Sequence, residues 1–211
     1  MWDSLIDQIH RWQNLAGAVV GGLFSLGVAL LVAYLARRRE DRAAGMLLVG
    51  TLVQMLARNT QLEKLAKEKA IPDADFHKWF SEKLVQSRPK MSTEFEASLI
   101  RLLPADIHLA AHLELFKILI AEMDECLDRL AEDYKNLHEK GRPQRPVANT
   151  QTDAKLSTRA FQGAILHASC AERLIARVVH GHFPSWYRLR AWLWPTEEER
   201  KCQQLLKTGN A

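Results

Sequence analysis

The stretch that decides the fold reads LAGAVVGGLFSLGVALLVAYLA and runs from Leu15 to Ala36. It carries no charged side chain, and Ser25 and Tyr34 are its polar residues. A helix of this length would be roughly 33 Å long, which matches a bilayer hydrocarbon core of about 30 Å. Because buried helices of soluble proteins seldom stay apolar for so long, residues 15–36 are predicted to form a transmembrane helix.

A cleavable signal peptide is the competing interpretation. Signal peptides have an apolar stretch of about 7–15 residues, a basic start and small residues before the cleavage site. Here the apolar stretch is longer, the leader MWDSLIDQIHRWQN contains two aspartates and one arginine, and Tyr34 stands where a small residue is needed. These features favour a retained anchor.

Positive charge is concentrated on one side of the predicted span. Arg11 precedes it, and the arginines that directly follow it are Arg37, Arg38, Arg39 and Arg42. Because basic flanks stay in the cytoplasm, we expect a single-pass protein of the inner (cell) membrane, with its N-terminus outside and its C-terminal domain cytoplasmic. The cysteines Cys126, Cys170 and Cys202 are widely separated and form no CxxC pair. They are expected to be reduced thiols, as is usual in the cytosol.

Residues 1–14 have the pattern of an amphipathic helix, because Trp2, Leu5, Ile9 and Trp12 recur on one face. Two interpretations are open. This leader lies at the outer membrane interface with its tryptophans at headgroup level, or it simply extends the spanning helix.

Small residues recur at every fourth position of the predicted span: Gly17, Gly21, Ser25, Ala29 and Ala33. Within lipid, helices pair mainly where small side chains let their backbones approach closely. The pattern therefore predicts self-association through the span. The alternative is that Gly and Ala are simply common in transmembrane helices.

Residues 37–182 are predicted to form a helical domain without strands. From residue 37 to 69, apolar residues recur at alternating spacings of four and three, with Asn59 at a core position. The most regular seam lies on a helix from about Ala105 to Lys140 and consists of Leu109, Leu113, Phe116, Ile120, Met123, Leu127, Leu130, Tyr134 and Leu137. A helix from about Asp153 to His180 carries a stripe suited to close packing on that seam: Phe161, Ala164, Ala168, Ala171, Ile175 and Val178.

The expected fold class is all-α. One N-terminal transmembrane helix is followed by a cytoplasmic antiparallel helical bundle that contains the long heptad-patterned helix. A parallel coiled-coil dimer built on that helix is the alternative. Asp73, Thr93 with Glu96, and Thr196 with Glu199 are predicted to cap the starts of three further helices.

The C-terminal tail, residues 183–211, is aromatic and basic and begins FPSWYRLRAWLWP. It has three open interpretations: a hydrophobic lid on the bundle, a segment that docks on the anionic inner leaflet, or a contact for protein or nucleic acid. The predicted membrane-surface residues at both ends of the chain are Trp2, Trp12, Trp186, Arg188, Arg190, Trp192 and Trp194.

Signals for catalysis are weak. His108 and His112 are four residues apart, but the zinc-protease pattern requires Glu where this chain has Leu109. His167 and Cys170 would complete a four-ligand site if the two long helices packed in register, yet surface histidines are the favoured interpretation. We therefore predict no enzyme activity, no catalytic residue, no metal and no cofactor. The pI of about 9.0 is attributed to the juxtamembrane arginines and the basic tail, and nucleic acid is not expected as a partner.

The order of an anchor, ARRREDR, a long helix, short helices and a long heptad helix resembles a broad class of small bacterial single-pass membrane proteins of uncharacterised function. This resemblance in layout implies no active site. The expected function is a non-catalytic, membrane-anchored interaction or scaffold protein. Its expected partners are the lipid bilayer, a second copy if the span pairs, and an unidentified protein at the acidic surface around Glu122, Glu125 and Asp128. The alternative is a membrane-perturbing effector, related to toxins or lysis proteins, that acts through the span and the tail.

Overall fold

A computed structural model describes residues 2–138, 146–179 and 184–208. The helices in these ranges are α1 (Trp2–Glu68), α2 (Asp73–Gln86), α3 (Phe95–Leu102), α4 (Ile107–His138), α5 (Val147–Leu174), α6 (Pro184–Leu193) and α7 (Glu197–Thr208). A π-helical turn, Ile175–Val179, continues α5. Within the described ranges there is no strand. The all-α prediction is confirmed, as is the long apolar helix at the N-terminus.

The chain divides into two compact units, Met1–Arg42 and Ala43–Ala211. In unit 1, the backbone of α1 is helical from Trp2 onwards without interruption. The leader and the apolar stretch therefore belong to one helix, and an interfacial position of residues 1–14 stays a prediction. Every side chain from residue 16 to 37 is exposed.

Unit 2 is built around the pairing of α4 with α5, the most extensive helix contact in the described chain. Seven members of the predicted seam are buried: Leu109, Leu113, Phe116, Ile120, Met123, Leu127 and Leu130. Tyr134 is half-buried, and the side chain of Leu137 lies outside the described residues. All six members of the predicted α5 stripe are buried. Burying each large apolar side chain of this seam contributes about 1.5–3 kcal/mol.

Contacts along the two helices show that α4 and α5 run antiparallel. His112 near the start of α4 meets His167 near the end of α5, while Arg129 farther along α4 forms an ion pair with Asp153 near the start of α5. A Cβ added at Gly163 would lie 3.2 Å from Leu119 Cδ1. The absence of a side chain at Gly163 thus permits the close approach of the helices that the small-residue stripe predicts.

The C-terminal half of α1 and the short helices cover the remaining apolar surface of unit 2. The buried residues of α1 are Ala44, Leu48, Leu52, Met55, Leu62 and Ala66. Asn59 is only half-buried, and its Nδ2 donates to Glu63 Oε1 at 2.7 Å, so it does not occupy the fully buried position expected for it. Phe80 of α2 packs on Phe161 with ring centroids 5.8 Å apart.

Two of the three predicted helix caps are wrong. Asp73 is the first residue of α2 rather than its cap, and no side chain caps that end. Helix α3 begins at Phe95 without a side-chain cap, so Thr93 and Glu96 do not form a capping box. The reason is register, because Glu94 rather than Thr93 occupies the N-cap position. Glu96 instead accepts a hydrogen bond from Lys117 Nζ of α4 at 2.7 Å.

Candidate functional site

The small-residue stripe of the span lies on an exposed part of α1. Gly17, Gly21, Ser25, Ala29 and Ala33 are all exposed. A Cβ built at Gly17 or Gly21 would meet no other atom within 4 Å. Four residues turn a helix by about 40° more than a full circle, so the stripe winds around α1 and does not form a straight groove. A partner helix that crosses it would contact the members near the crossing point.

The stretch around this stripe is long and apolar enough to cross a membrane. This holds by length and composition for the part Ala16–Glu68 of α1, whose apolar window has no buried residue. Of the arginines that follow, Arg37, Arg39 and Arg42 are exposed and Arg38 is half-buried.

The three tail tryptophans expose most of their surface: 65% for Trp186, 77% for Trp192 and 70% for Trp194. The lid interpretation is therefore wrong for these rings. Trp12 is exposed as well, while the side chains of Trp2 and Arg188 lie outside the described residues.

Arg190, the other predicted membrane-surface residue of the tail, is held by an ion pair. Its Nη2 lies 2.6 Å from Glu199 Oε1, and Arg177 Nη1 lies 2.7 Å from the same oxygen. Glu199 also forms the predicted capping box of α7. Its Oε2 accepts from the backbone N–H of Thr196 at 2.7 Å, and its own N–H donates to Thr196 Oγ1 at 3.3 Å. This third cap is confirmed, and the buried Glu199 joins α6 and α7 to the π-helical turn.

A cluster of histidines and cysteines lies where α4, α5 and α7 meet. His112 of α4 and His167 of α5 are buried, with 1% and 3% of their surfaces exposed. Their Nδ1 atoms are 2.9 Å apart. The preference for surface histidines is thus wrong for these two residues, whereas His108 is exposed as expected. The cause is register, because His112 directly precedes the seam residue Leu113 and faces the α5 stripe.

The local environment keeps both buried rings neutral at pH 7. Burial, with smaller contributions from His167 and His108, lowers the pKa of His112 to about 4. Burial also lowers the pKa of His167. The short Nδ1–Nδ1 contact is therefore an N–H···N hydrogen bond between two neutral imidazoles, in which one ring donates and the other accepts.

Cys170 and Cys202 form a disulfide between α5 and α7, with their Cα atoms 5.8 Å apart. The expectation of three reduced thiols is therefore wrong for this pair. It holds for Cys126, which is free and buried, and burial raises the pKa of its thiol. Residues 32 positions apart in the sequence are joined because α7 packs on α4 and α5.

The disulfide and His112 together form a candidate metal-ligand set. One ring nitrogen of His112 and the two Sγ atoms all lie within 4.8 Å of one another. Of the four ligands weighed from sequence, the structure brings His112, His167 and Cys170 together, and His108 lines the cavity beside them. The sequence does not indicate Cys202 as a ligand, because nothing in the local pattern joins the tail to the domain. The part of the cluster that the sequence does indicate is the pair His167 and Cys170, which are three residues apart and therefore lie on one face of α5.

A cavity of about 300 Å³ opens beside this cluster. Its wall includes both cysteines, His108, His112, Arg173 and Trp192. Arg173 forms an ion pair with Glu198 at 3.1 Å. The cavity thus adjoins a disulfide, a neutral imidazole and the Arg173–Glu198 ion pair.

Comparison with protein-family models, with curated proteins and with solved structures found no match to this chain.

Proposed function

We propose that this chain is a non-catalytic, membrane-anchored interaction protein. The stretch Leu15–Ala36 of α1 spans the inner membrane once, and unit 2 is an antiparallel helical bundle on the cytoplasmic side. The observation that carries the proposal is the run of large apolar side chains in α1 that no other described part of the chain covers. Val20, Leu23 and Phe24 are 66%, 65% and 74% exposed. Burial in lipid of such surface contributes about 25 cal/mol per Å², which favours insertion strongly.

Membrane fractionation of the full chain tests the anchor. The wild type is expected in the membrane pellet and to resist an alkaline wash. Changing Leu23 and Leu30 to Arg should release it into the soluble fraction, because two charges in the bilayer centre each cost several kcal/mol. The matched control changes Ile100 and Ile118, which are also exposed, to Arg in unit 2. A wild type found in the supernatant would refute the anchor.

The cytoplasmic orientation rests on the arginines that follow the span. The Cys170–Cys202 disulfide is typical of oxidising compartments and argues for the opposite side. Fusing the C-terminus to a phosphatase that is active only outside the cytoplasm, and separately to a fluorescent protein that matures only inside, decides between them. We expect fluorescence without phosphatase activity, and the reverse result would invert the topology while leaving the anchor intact.

Self-association through the stripe is the second part of the proposal, and it is supported by the open space at Gly21. A genetic reporter of membrane-helix pairing should lose its signal on Gly21→Ile. Gly27→Ile is the matched control, because Gly27 is equally open but lies about 120° from Gly21 and on the side of the helix opposite the middle of the stripe. Equal signals from the two variants would contradict pairing through the stripe.

The tail supports a further contact of the same protein with lipid. Exposed tryptophans beside a basic segment suit the headgroup region of an anionic leaflet, and the anchor holds them near it. The same observation favours the second candidate function, a membrane-perturbing effector. Induced expression followed by measurement of membrane potential separates them, since an interaction protein leaves the potential unchanged.

An unidentified protein partner is proposed for the acidic surface of α4. Glu122 and Glu125 are exposed, whereas Asp128 already pairs with Arg88 at 2.8 Å. Crosslinking in native membranes, followed by mass spectrometry, should recover a basic protein with the wild type and less of it with Glu122→Lys/Glu125→Lys. Equal recovery with both would exclude this surface.

A further inference from the structure

We propose that, when the Cys170–Cys202 disulfide is reduced, the two sulfurs and His112 bind one zinc ion. The three residues come from three helices, α5, α7 and α4, and their ligand atoms already lie within 4.8 Å of one another. In a tetrahedral zinc site with Zn–S bonds of about 2.3 Å and Zn–N bonds of about 2.0 Å, ligand atoms are roughly 3.5–3.8 Å apart. Reduction lets the sulfurs separate to that spacing by side-chain rotation.

The state of His112 is an independent indication of a ligand. Its ring is buried, and Nε2 has no hydrogen-bond partner among the described residues. Its other nitrogen, Nδ1, is bonded to His167 Nδ1. When His112 donates this bond, Nε2 keeps a lone pair. A ligating histidine typically has this arrangement, in which the second ring nitrogen donates to a neighbour that fixes the ring orientation.

The charges of this donor set suit zinc in a buried place. Two thiolates neutralise the two charges of Zn²⁺, so the complex with neutral imidazole carries no net charge and avoids the cost of burying an unpaired ion. Sulfur and imidazole together select zinc over magnesium or calcium, which prefer oxygen.

The fourth coordination position would face the cavity. Both cysteines and His112 line it, and exposed His108 lines the same wall. Three protein ligands with one accessible position are typical of zinc sites that hold a water or an exchangeable ligand. Zinc would join α7 to the α4–α5 pair in the reduced protein, as the disulfide does in the oxidised one.

The chemistry balances with a reductant of the phosphine or dithiol class. A phosphine together with one water molecule becomes phosphine oxide, and the two hydrogens of the water end on the two thiols. A dithiol instead gives up its own two hydrogens to the sulfurs and closes to a cyclic disulfide. Zinc then replaces the two thiol protons, so two protons are released for each ion bound. The site therefore links the redox state of the chain to its metal content, whatever the membrane topology.

The experiment uses the full chain in detergent micelles, reduced with a phosphine under anaerobic conditions. Titration with Co²⁺ should give sulfur-to-cobalt charge transfer and the intense visible bands of a tetrahedral site at one equivalent. Zn²⁺ should displace cobalt, and elemental analysis should find one zinc per chain. The disulfide form should bind at least tenfold less, as should Cys170→Ser and Cys202→Ser.

Cys126→Ser is the matched control, because Cys126 is a buried thiol outside the cluster, and it should leave the titration unchanged. His167→Ala tests a positioning residue and should weaken zinc binding about 10–100-fold while the charge-transfer bands remain. Since variants can lose structure, wild-type protein is also alkylated with and without zinc. Zinc should protect Cys170 and Cys202 from alkylation, whereas the extent of alkylation of Cys126 should be the same with and without zinc.

The proposal is overturned if reduced wild type binds no more cobalt than the Cys170→Ser/Cys202→Ser double variant, or if zinc fails to protect the two thiols. Either failure leaves the membrane anchor untouched, because fractionation does not depend on metal. Conversely, a soluble wild type with stoichiometric zinc would refute the anchor and support the metal site.

Discussion

Two stripes of small residues in this chain have opposite environments. On α5, Ala164 and Ala168 are fully buried, and α4 comes so close that a Cβ at Gly163 would meet Leu119. On α1, Gly21 and Ala29 are exposed, and added atoms at Gly21 would meet nothing. Both stripes contain several small residues, but only the α5 stripe has a partner helix among the described residues.

The difference shows what a small-residue stripe encodes. Such a stripe permits another helix to approach closely, but it does not specify which helix that is. The identity of the partner depends on residues elsewhere in the sequence. For α5 this helix is α4, whose leucine-rich seam packs against the stripe. For α1 the neighbouring residues are apolar all round, a pattern that suits lipid and, through the stripe, a second span.

The largest expected effect tests this contrast with phenylalanine. Phe116 in the α4 seam is fully buried, whereas Phe24 in the span is 74% exposed. Phe116→Ala should lower the unfolding free energy of unit 2 by about 3–5 kcal/mol, because it removes apolar contacts and leaves a cavity. Phe24→Ala should leave it unchanged. Urea unfolding of the full chain in mild detergent, followed by the circular dichroism of the helices, measures both effects. Equal unfolding midpoints for Phe116→Ala and Phe24→Ala would contradict the difference between the two environments.

Much of the fold is predictable because it depends on local periodicity. The seam from Leu109 to Leu130 repeats at intervals of three and four and is buried as predicted. The Thr196–Glu199 cap is likewise encoded within four residues. The local rule fails at α3, where the helix begins one residue later than a Thr93 cap requires. Glu96 binds Lys117 of α4 instead of the helix start.

The candidate site was only partly predictable, because it depends on long-range contact. His112 and His167 are 55 residues apart, and their pairing follows from the antiparallel register of α4 and α5. Cys202 reaches them only because α7 folds back on that pair. No local sequence pattern predicts that α7 packs on α4 and α5. A lid on the bundle is one of the three interpretations of the tail tryptophans, whereas the buried residues in the described part of the tail are Leu205 and Glu199, the latter held by two arginines.

A second prediction uses the acid sensitivity of unit 2 in its disulfide form. The pKa of His112 is lowered from 6.5 to about 4 by burial. Between these pH values the unfolded chain binds a proton that the folded chain does not, so stability is complete above pH 6.5 and falls as the pH drops to 4. The expected loss is about 2–3 kcal/mol.

His112→Gln should remove this loss, so that the difference in unfolding free energy between wild type and variant changes with pH. His108→Gln is the control and should keep most of the slope, because His108 is exposed. Membrane insertion of unit 1 should not respond over the same range. A wild type and His112→Gln variant with parallel pH profiles would mean that folding does not lower the pKa of His112.

The smallest expected effect compares the stripes directly. Ala164→Leu inserts three carbon atoms where α4 and α5 meet and should destabilise unit 2 by about 1–3 kcal/mol, because a packed interface accommodates added volume only with strain. Ala29→Leu adds the same atoms to the exposed stripe. It should leave unit 2 unchanged and weaken the pairing signal of the span, since leucine holds a second backbone farther away. If Ala29→Leu destabilises unit 2 as Ala164→Leu does, the α1 stripe has a partner within its own chain, and self-association loses its structural basis.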